Sequence, residues 1–131
     1  MRVYYEDTDA AGIVYHANYL KFAERARTEL LRLLDFDHVG LGREDGGAFA
    51  VRRCTIDYLA PARLDDLLEV RTRLLRLGGA TLDLSQRVCR GDDGAALAAL
   101  ELTLVRLDGR LRPLRLPRRL RAALQEFVPA G

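Results

Sequence analysis

The sequence predicts an α+β domain in which a five-stranded antiparallel sheet curls around one long helix, with a short helix near the C-terminal end. Three observations carry this. A single long stretch shows helical periodicity, four later runs show strand-like patterning, and the turns between those runs are too short for parallel crossovers.

Residues 2–5, "RVYY", are β-rich and end in acidic turn-formers, and read as a first strand. From about His16 to Leu34, Tyr19, Phe22, Ala23, Ala26, Leu30, Leu33 and Leu34 recur at three- and four-residue steps, an amphipathic helix. Its other face carries Lys21, Glu24, Arg25, Thr28, Glu29 and Arg32, in positions to pair across one turn. The stretch "DFDHVGLGREDGG", with four glycines, reads as a loop, after which helical periodicity is absent until the end. Strands are predicted over 48–58, 67–77, 81–90 and 95–107, with hairpin turns at Gly78–Gly79 and at "GDDG", 91–94. In the third run Leu82, Leu84, Gln86 and Val88 alternate with Thr81, Asp83, Ser85 and Arg87, one buried face and one wetter face. The fourth begins rich in alanine, but Leu100, Leu102 and Leu104 at period two favour a strand. Beyond Pro113 and Pro117, "RRLRAALQEF" forms the terminal helix. The open sheet edges invite pairing with a second copy of the chain.

Residues 1–131 are read as one domain, long enough to bury a core without disulfides or a structural metal. A net charge of +2 does not imply a phosphate-tracking nucleic-acid surface. All but Lys21 of the 21 basic residues are arginine, a skew that matches genomic base composition better than a binding role. The N-terminus has no apolar run of signal-peptide length, and no run approaches the ~18 residues of a membrane span, so a cytoplasmic protein without membrane insertion is expected. Cys54 and Cys89 lack metal or redox spacing and read as reduced, partly buried packing residues.

The informative stretch is residues 5–19, "YEDTDAAGIVYHANY", which gathers three acidic residues, a glycine and one of two histidines just before the best helix. With its flanks it reads "YYEDTDAAGIVYHANYLKFAERARTELLR", and "IDYLAPARLDD" follows later. Together they resemble the 4-hydroxybenzoyl-CoA thioesterase family of hotdog-fold proteins, nearest its Tol-Pal-associated acyl-CoA thioesterase branch. The likeness covers most of the chain, with its information concentrated in the first third. Relative to that branch this chain begins almost at the first strand, so a few leading residues are expected to be missing.

The resemblance implies a CoA thioester hydrolase with no metal and no organic cofactor. It implies that Asp9 of "DAAGIVYH" is the catalytic carboxylate, and that His16 lies at the helix start, where the family places the backbone amide facing the thioester carbonyl. It also supports an active-site place for the His16 side chain, orienting water or thioester. The physics agrees: the first N–H groups of a helix lack intrahelical partners and carry the positive end of its dipole, a ready site for a developing oxyanion. Gly12 lets the backbone turn sharply and bring Asp9 back toward the helix start. Gly12, Tyr15 and Asn18 are taken as substrate-binding residues around that turn. Arg63 of "APAR", in a loop stiffened by Pro61, is the chosen contact for CoA phosphates ahead of Arg52, Arg53, Arg87 and Arg90.

On local chemistry alone Asp9 reads as a turn or N-cap aspartate, and only the resemblance reverses this. Asp7 and Glu6 are assigned structural or exposed roles, Glu24 a solvated ion-pair role, and His38 none. Asp9 acts either as nucleophile or as general base, and the residues do not choose between the two. A homodimer or homotetramer with sites completed by the second subunit is expected. Two other functions stay open: a hotdog-fold hydratase or dehydratase, and a non-catalytic acyl-CoA-binding or interaction module.

Overall fold

A computed structural model describes residues 1–129. A one-turn 3-10 helix over Tyr5–Asp7 is followed by α1 (Asn18–Leu33), α2 (His38–Asp45), β1 (Ala48–Tyr58), β2 (Leu68–Leu77), β3 (Thr81–Arg90), β4 (Ala96–Leu107) and α3 (Arg118–Gln125). The four strands form one antiparallel sheet in the order β1-β4-β3-β2, with β1 and β2 at its edges. The four later strands and the terminal helix lie where pattern and turn chemistry place them. Gly78 N–H donates to Thr81 O at 2.8 Å to close one hairpin, and Gly94, at φ +70°, closes the other by donating to Arg90 O at 2.8 Å.

The described structure differs from expectation at four points. Residues 2–5 do not form a fifth strand: Arg2 makes one isolated bridge with Leu67, and the chain winds into the 3-10 turn. The cause is Asp7, whose Oδ2 accepts the Tyr4 N–H at 2.9 Å and curls the backbone out of extension. Residues expected to be a loop contain α2, so the described residues form three α-helices and not a long one with a terminal partner. Asp37 caps α2 by accepting from Gly40 N–H, Leu41 is its buried anchor, and Gly46, at φ +70°, ends it in the left-handed conformation. Of the four glycines there, two are tolerated inside the helix. Helix α1 starts at Asn18 instead of about His16, and its buried residues stop early: Tyr19, Phe22 and Ala23 are covered, whereas Leu33 is 78% exposed. Finally, Cys89 is buried but Cys54, on β1, is exposed, so only Cys89 packs as expected.

The fold divides into two compact units. The first comprises Met1–Arg27, Ile56–Thr72 and Gln86–Leu100. Its apolar core includes Val3, Phe22, Ala62, Val88 and Leu97. Gln86 lies fully buried within it, with every polar atom used: Oε1 accepts from Arg27 Nη1 at 2.9 Å, and Nε2 donates to Ala23 O at 3.1 Å and Thr72 Oγ1 at 3.0 Å. A buried amide so satisfied fixes α1 against β3 in one register.

The second unit comprises Thr28–Thr55, Arg73–Ser85 and Glu101–Gly131, of which the structure describes residues up to 129. Leu41, Leu82, Leu104 and Leu120 are among its core residues. Arg106 of β4 has no exposed surface and grips Asp45 of α2 with two hydrogen bonds, Nε to Oδ2 at 3.0 Å and Nη2 to Oδ1 at 2.7 Å. Its guanidinium also lies 4.7 Å from the Phe49 ring centroid. This fork holds the Asp45 carboxyl below the usual carboxylate range, the Arg106 hydrogen bond being the largest cause.

Candidate active site

The stretch singled out in the sequence folds as a small hairpin running directly into α1. Tyr15 N–H donates to Asp7 O at 2.8 Å, Thr8 and Val14 form a bridge, and Asp9 N–H donates to Ile13 O at 2.9 Å. Ala10, Ala11 and Gly12 make the tip, closed by Gly12 N–H to Asp9 O at 3.0 Å. This is the three-residue hairpin whose last loop position must be left-handed, and Gly12 has φ +78°. The glycine is therefore required by backbone conformation.

Asp9 sits at the hairpin corner, exposed. Its Oδ1 accepts the Ala11 N–H at 2.8 Å, the turn role that local chemistry suggests. Its Oδ2 has no hydrogen-bond partner among the described residues. One carboxylate oxygen thus holds the loop while the other is uncommitted.

Asp7, two residues earlier, has a different fate. It is buried, and besides taking the Tyr4 N–H its Oδ1 accepts Asn18 Nδ2 at 2.9 Å. Asp7 and Asn18 therefore clasp the hairpin to the first residue of α1, a structural role for both. Asn18 is drawn into this clasp and not toward an open surface; both its side-chain amide and its position are committed.

The peptides entering α1 have a regular hydrogen-bond logic. Tyr15 O accepts from Asn18 N–H at 2.9 Å, and His16 O accepts from the Tyr58 hydroxyl at 3.0 Å. The N–H groups of His16 and Ala17 have no acceptor among the described residues. Both precede Asn18, so the His16 amide expected to face the carbonyl lies in the turn leading into α1 and not in its first helical residue. The His16 ring is exposed, 4.4 Å from the Tyr15 ring centroid and edge-on to Tyr58 at 6.2 Å. Tyr15 is itself 46% exposed.

The second matching segment lies against this hairpin. Ala62 O accepts Val14 N–H at 2.8 Å, and Arg63 forms a bridge with Ile13. Ala62 N–H donates at 3.0 Å to the Tyr19 hydroxyl, whose pKa burial pushes up. Asp66 Oδ2 accepts Arg63 N–H at 2.9 Å. Arg90 Nη1 donates to Asp93 Oδ2 at 3.1 Å, and its Nε lies 3.6 Å from Asp66 Oδ2. Arg90 is thus paired with two carboxylates, whereas the Arg63 side chain is exposed beside the hairpin.

Asp9, Gly12, Tyr15, His16, Asn18 and Arg63 thus belong to one neighbourhood in the first unit. Sequence reasoning missed Tyr58, which stands inside the quoted "IDYLAPARLDD" but whose partner is 42 positions away. Only its place in a matching segment could have flagged it. Glu24 is exposed on α1. Among the described residues, no group of three or more His, Cys, Asp or Glu side chains is arranged to hold a metal ion, and no helix is long and apolar enough to cross a membrane.

The sequence pattern of the thioesterase superfamily matches residues 11–97, beginning just past Asp9. An acyl-CoA thioesterase, YbgC, of Haemophilus influenzae is 46% identical over 127 residues, covering 97% of this chain and 93% of the relative. The acyl-CoA thioester hydrolase YbgC of Escherichia coli is 43% identical over 127 residues, covering 96% of this chain and 93% of its own. A probable thioesterase from Bartonella henselae has a crystal structure that superposes with a TM-score of 0.84 at 37% identity, covering 89% of this chain and 95% of that one. With the hairpin and its aspartate, these likenesses agree with what the two quoted segments suggest: the chain belongs to the thioesterase superfamily, the hotdog-fold thioester hydrolases that its sequence resembles.

Proposed function

We propose that this chain hydrolyses acyl-CoA thioesters to a free acid and CoA, that residues 1–131 act as one thioesterase domain, and that Asp9 and the His16 amide carry the reaction. The observation behind this is that one short hairpin presents an exposed carboxylate and, at its exit, backbone N–H groups, with one carboxylate oxygen and those N–H groups unpartnered among the described residues. The relatives' printed activities supply the substrate class.

In this reading the thioester oxygen accepts the His16 N–H, and the negative charge that grows on it during attack meets a donor already aimed. One such donor is worth about 2.7–4 kcal/mol in the transition state. Asp9 either attacks the carbonyl carbon, expelling CoA thiolate and leaving a mixed anhydride that water opens, or takes a proton from a water that attacks in its place. The thiolate is a good leaving group, so no strong general acid is needed. The His16 imidazole, exposed beside the amide, orients the water or the thioester. Arg63 meets the CoA phosphates.

The test is thiol release from a panel of acyl-CoAs, short, long and aromatic, with wild type and Asp9→Asn. A loss of about a hundredfold or more in kcat, the scale of a positioned acid–base group, supports the reading. Equal inactivity of both proteins with binding intact would sink it in favour of a binding module. Loss of enoyl absorbance without thiol would make the protein a hydratase. Label found in the Asp9 carboxylate after single turnover in heavy-oxygen water would identify it as the nucleophile, since a general base acquires none.

We further propose that the chain works as a homodimer or a dimer-based homotetramer. The edge strand β1 is eleven residues long, none of them buried, with Val51 51% exposed. A long edge with apolar side chains and unpaired backbone groups is a template for a second copy.

A further inference from the structure

The geometry points to Tyr58 as a positioning residue that sets the direction of the second backbone donor at the α1 entrance, the Ala17 N–H. This rests on the thioester hydrolase reading above. In a trans peptide the C=O and N–H point in opposite directions, so fixing one end of the unit aims the other. Two consecutive peptides precede α1, and each has its carbonyl held while its N–H is without an acceptor among the described residues. The Tyr15–His16 unit is held locally, Tyr15 O accepting from Asn18 N–H at 2.9 Å. The His16–Ala17 unit is held from outside the segment, by the Tyr58 hydroxyl at 3.0 Å from His16 O.

Tyr58 is suited to this task because its ring is fixed from two sides. It meets Tyr19 at 5.6 Å between centroids with planes at 69°, and the His16 imidazole at 6.2 Å with planes at 90°. Tyr19 is itself anchored by the Ala62 N–H at 3.0 Å. The phenol hydrogen therefore reaches His16 O from a ring packed against Tyr19 of α1. Donation to that carbonyl also polarises the peptide, making Ala17 N–H a stronger donor. The arrangement gives the developing oxyanion two adjacent donors, His16 and Ala17, in place of one.

Tyr58→Phe tests this, because it keeps the ring contacts and removes only the hydroxyl. The expected result is a kcat lower by about tenfold, KM within about twofold and Tm within about 2 °C of wild type. The Ala17 amide resonance in the proton–nitrogen spectrum should shift as well. Tyr58→Ala, which also removes the ring, should lower kcat at least as far and reduce Tm in addition. A Tyr58→Phe protein with wild-type kcat overturns the proposal, and so does an unmoved Ala17 resonance. Should wild type release no thiol from any acyl-CoA, the hydrolase reading fails, and the Ala17 resonance alone still decides whether Tyr58 orients that peptide.

Discussion

The Asp7 carboxylate accepts the Asn18 side-chain amide at 2.9 Å, joining the start of the hairpin to the start of α1 with both side chains buried. Asp9, two positions on, is exposed, and its carboxylate accepts the Ala11 N–H of its own turn. The two aspartates should therefore separate stability from turnover. Asp7→Ala strands the Asn18 amide and the Tyr4 N–H, and should cost about 2–3 kcal/mol in urea denaturation. Asp9→Ala should change stability by under about 1 kcal/mol while abolishing thiol release. A stable Asp7→Ala protein would mean that the clasp contributes nothing.

Gly12 and Gly47 should resist substitution for different reasons. A Cβ at Gly12 meets nothing within 4 Å, so the penalty is the left-handed backbone, about 1–2 kcal/mol for alanine and less for asparagine. A Cβ at Gly47 would stand 2.9 Å from Leu107 O and 2.8 Å from a Leu114 methyl, so alanine and asparagine should both destabilise it. Thermal melts of the four variants give the order. Gly12→Ala proving no worse than Gly12→Asn would refute the conformational account.

The Arg106–Asp45 pair predicts a pH signature. Asp45→Ala leaves a buried guanidinium without its counter-charge and should cost about 3–5 kcal/mol near neutrality. Because the folded-state pKa of Asp45 is depressed, its stabilisation is complete above the unfolded value near 3.9 and is lost as pH falls toward the folded value. The stability gap between wild type and Asp45→Asn should stay level between about pH 5 and 7 and close below about pH 4. A gap that widened on acidification would contradict the ion pair.

If Arg63 meets CoA phosphates, Arg63→Ala should raise KM for acyl-CoA by about three- to tenfold with kcat nearly unchanged. The same acyl group on pantetheine, which lacks the nucleotide phosphates, should show no such change. Equal effects on both substrates would place Arg63 in the structure of the loop and not in recognition.

Much of this protein is legible in local pattern. The bounds of β1 and β3, the hairpins at Gly78 and Gly94 and the left-handed need at Gly12 follow from side-chain period and turn chemistry, which act within a few residues. Helix α2 escaped because its glycines read as breakers, while its cap at Asp37 and its buried Leu41 outweigh them. The exposure of Leu33 and Cys54, the burial of Asp7 and Arg106, and the bond from Tyr58 to His16 carry no local mark. Each depends on which distant backbone or side chain arrives to satisfy or cover a group, and that partner is chosen by packing across many tens of residues. Residues that could do chemistry were therefore readable along the chain, but the groups that hold them in place became visible only once it was folded.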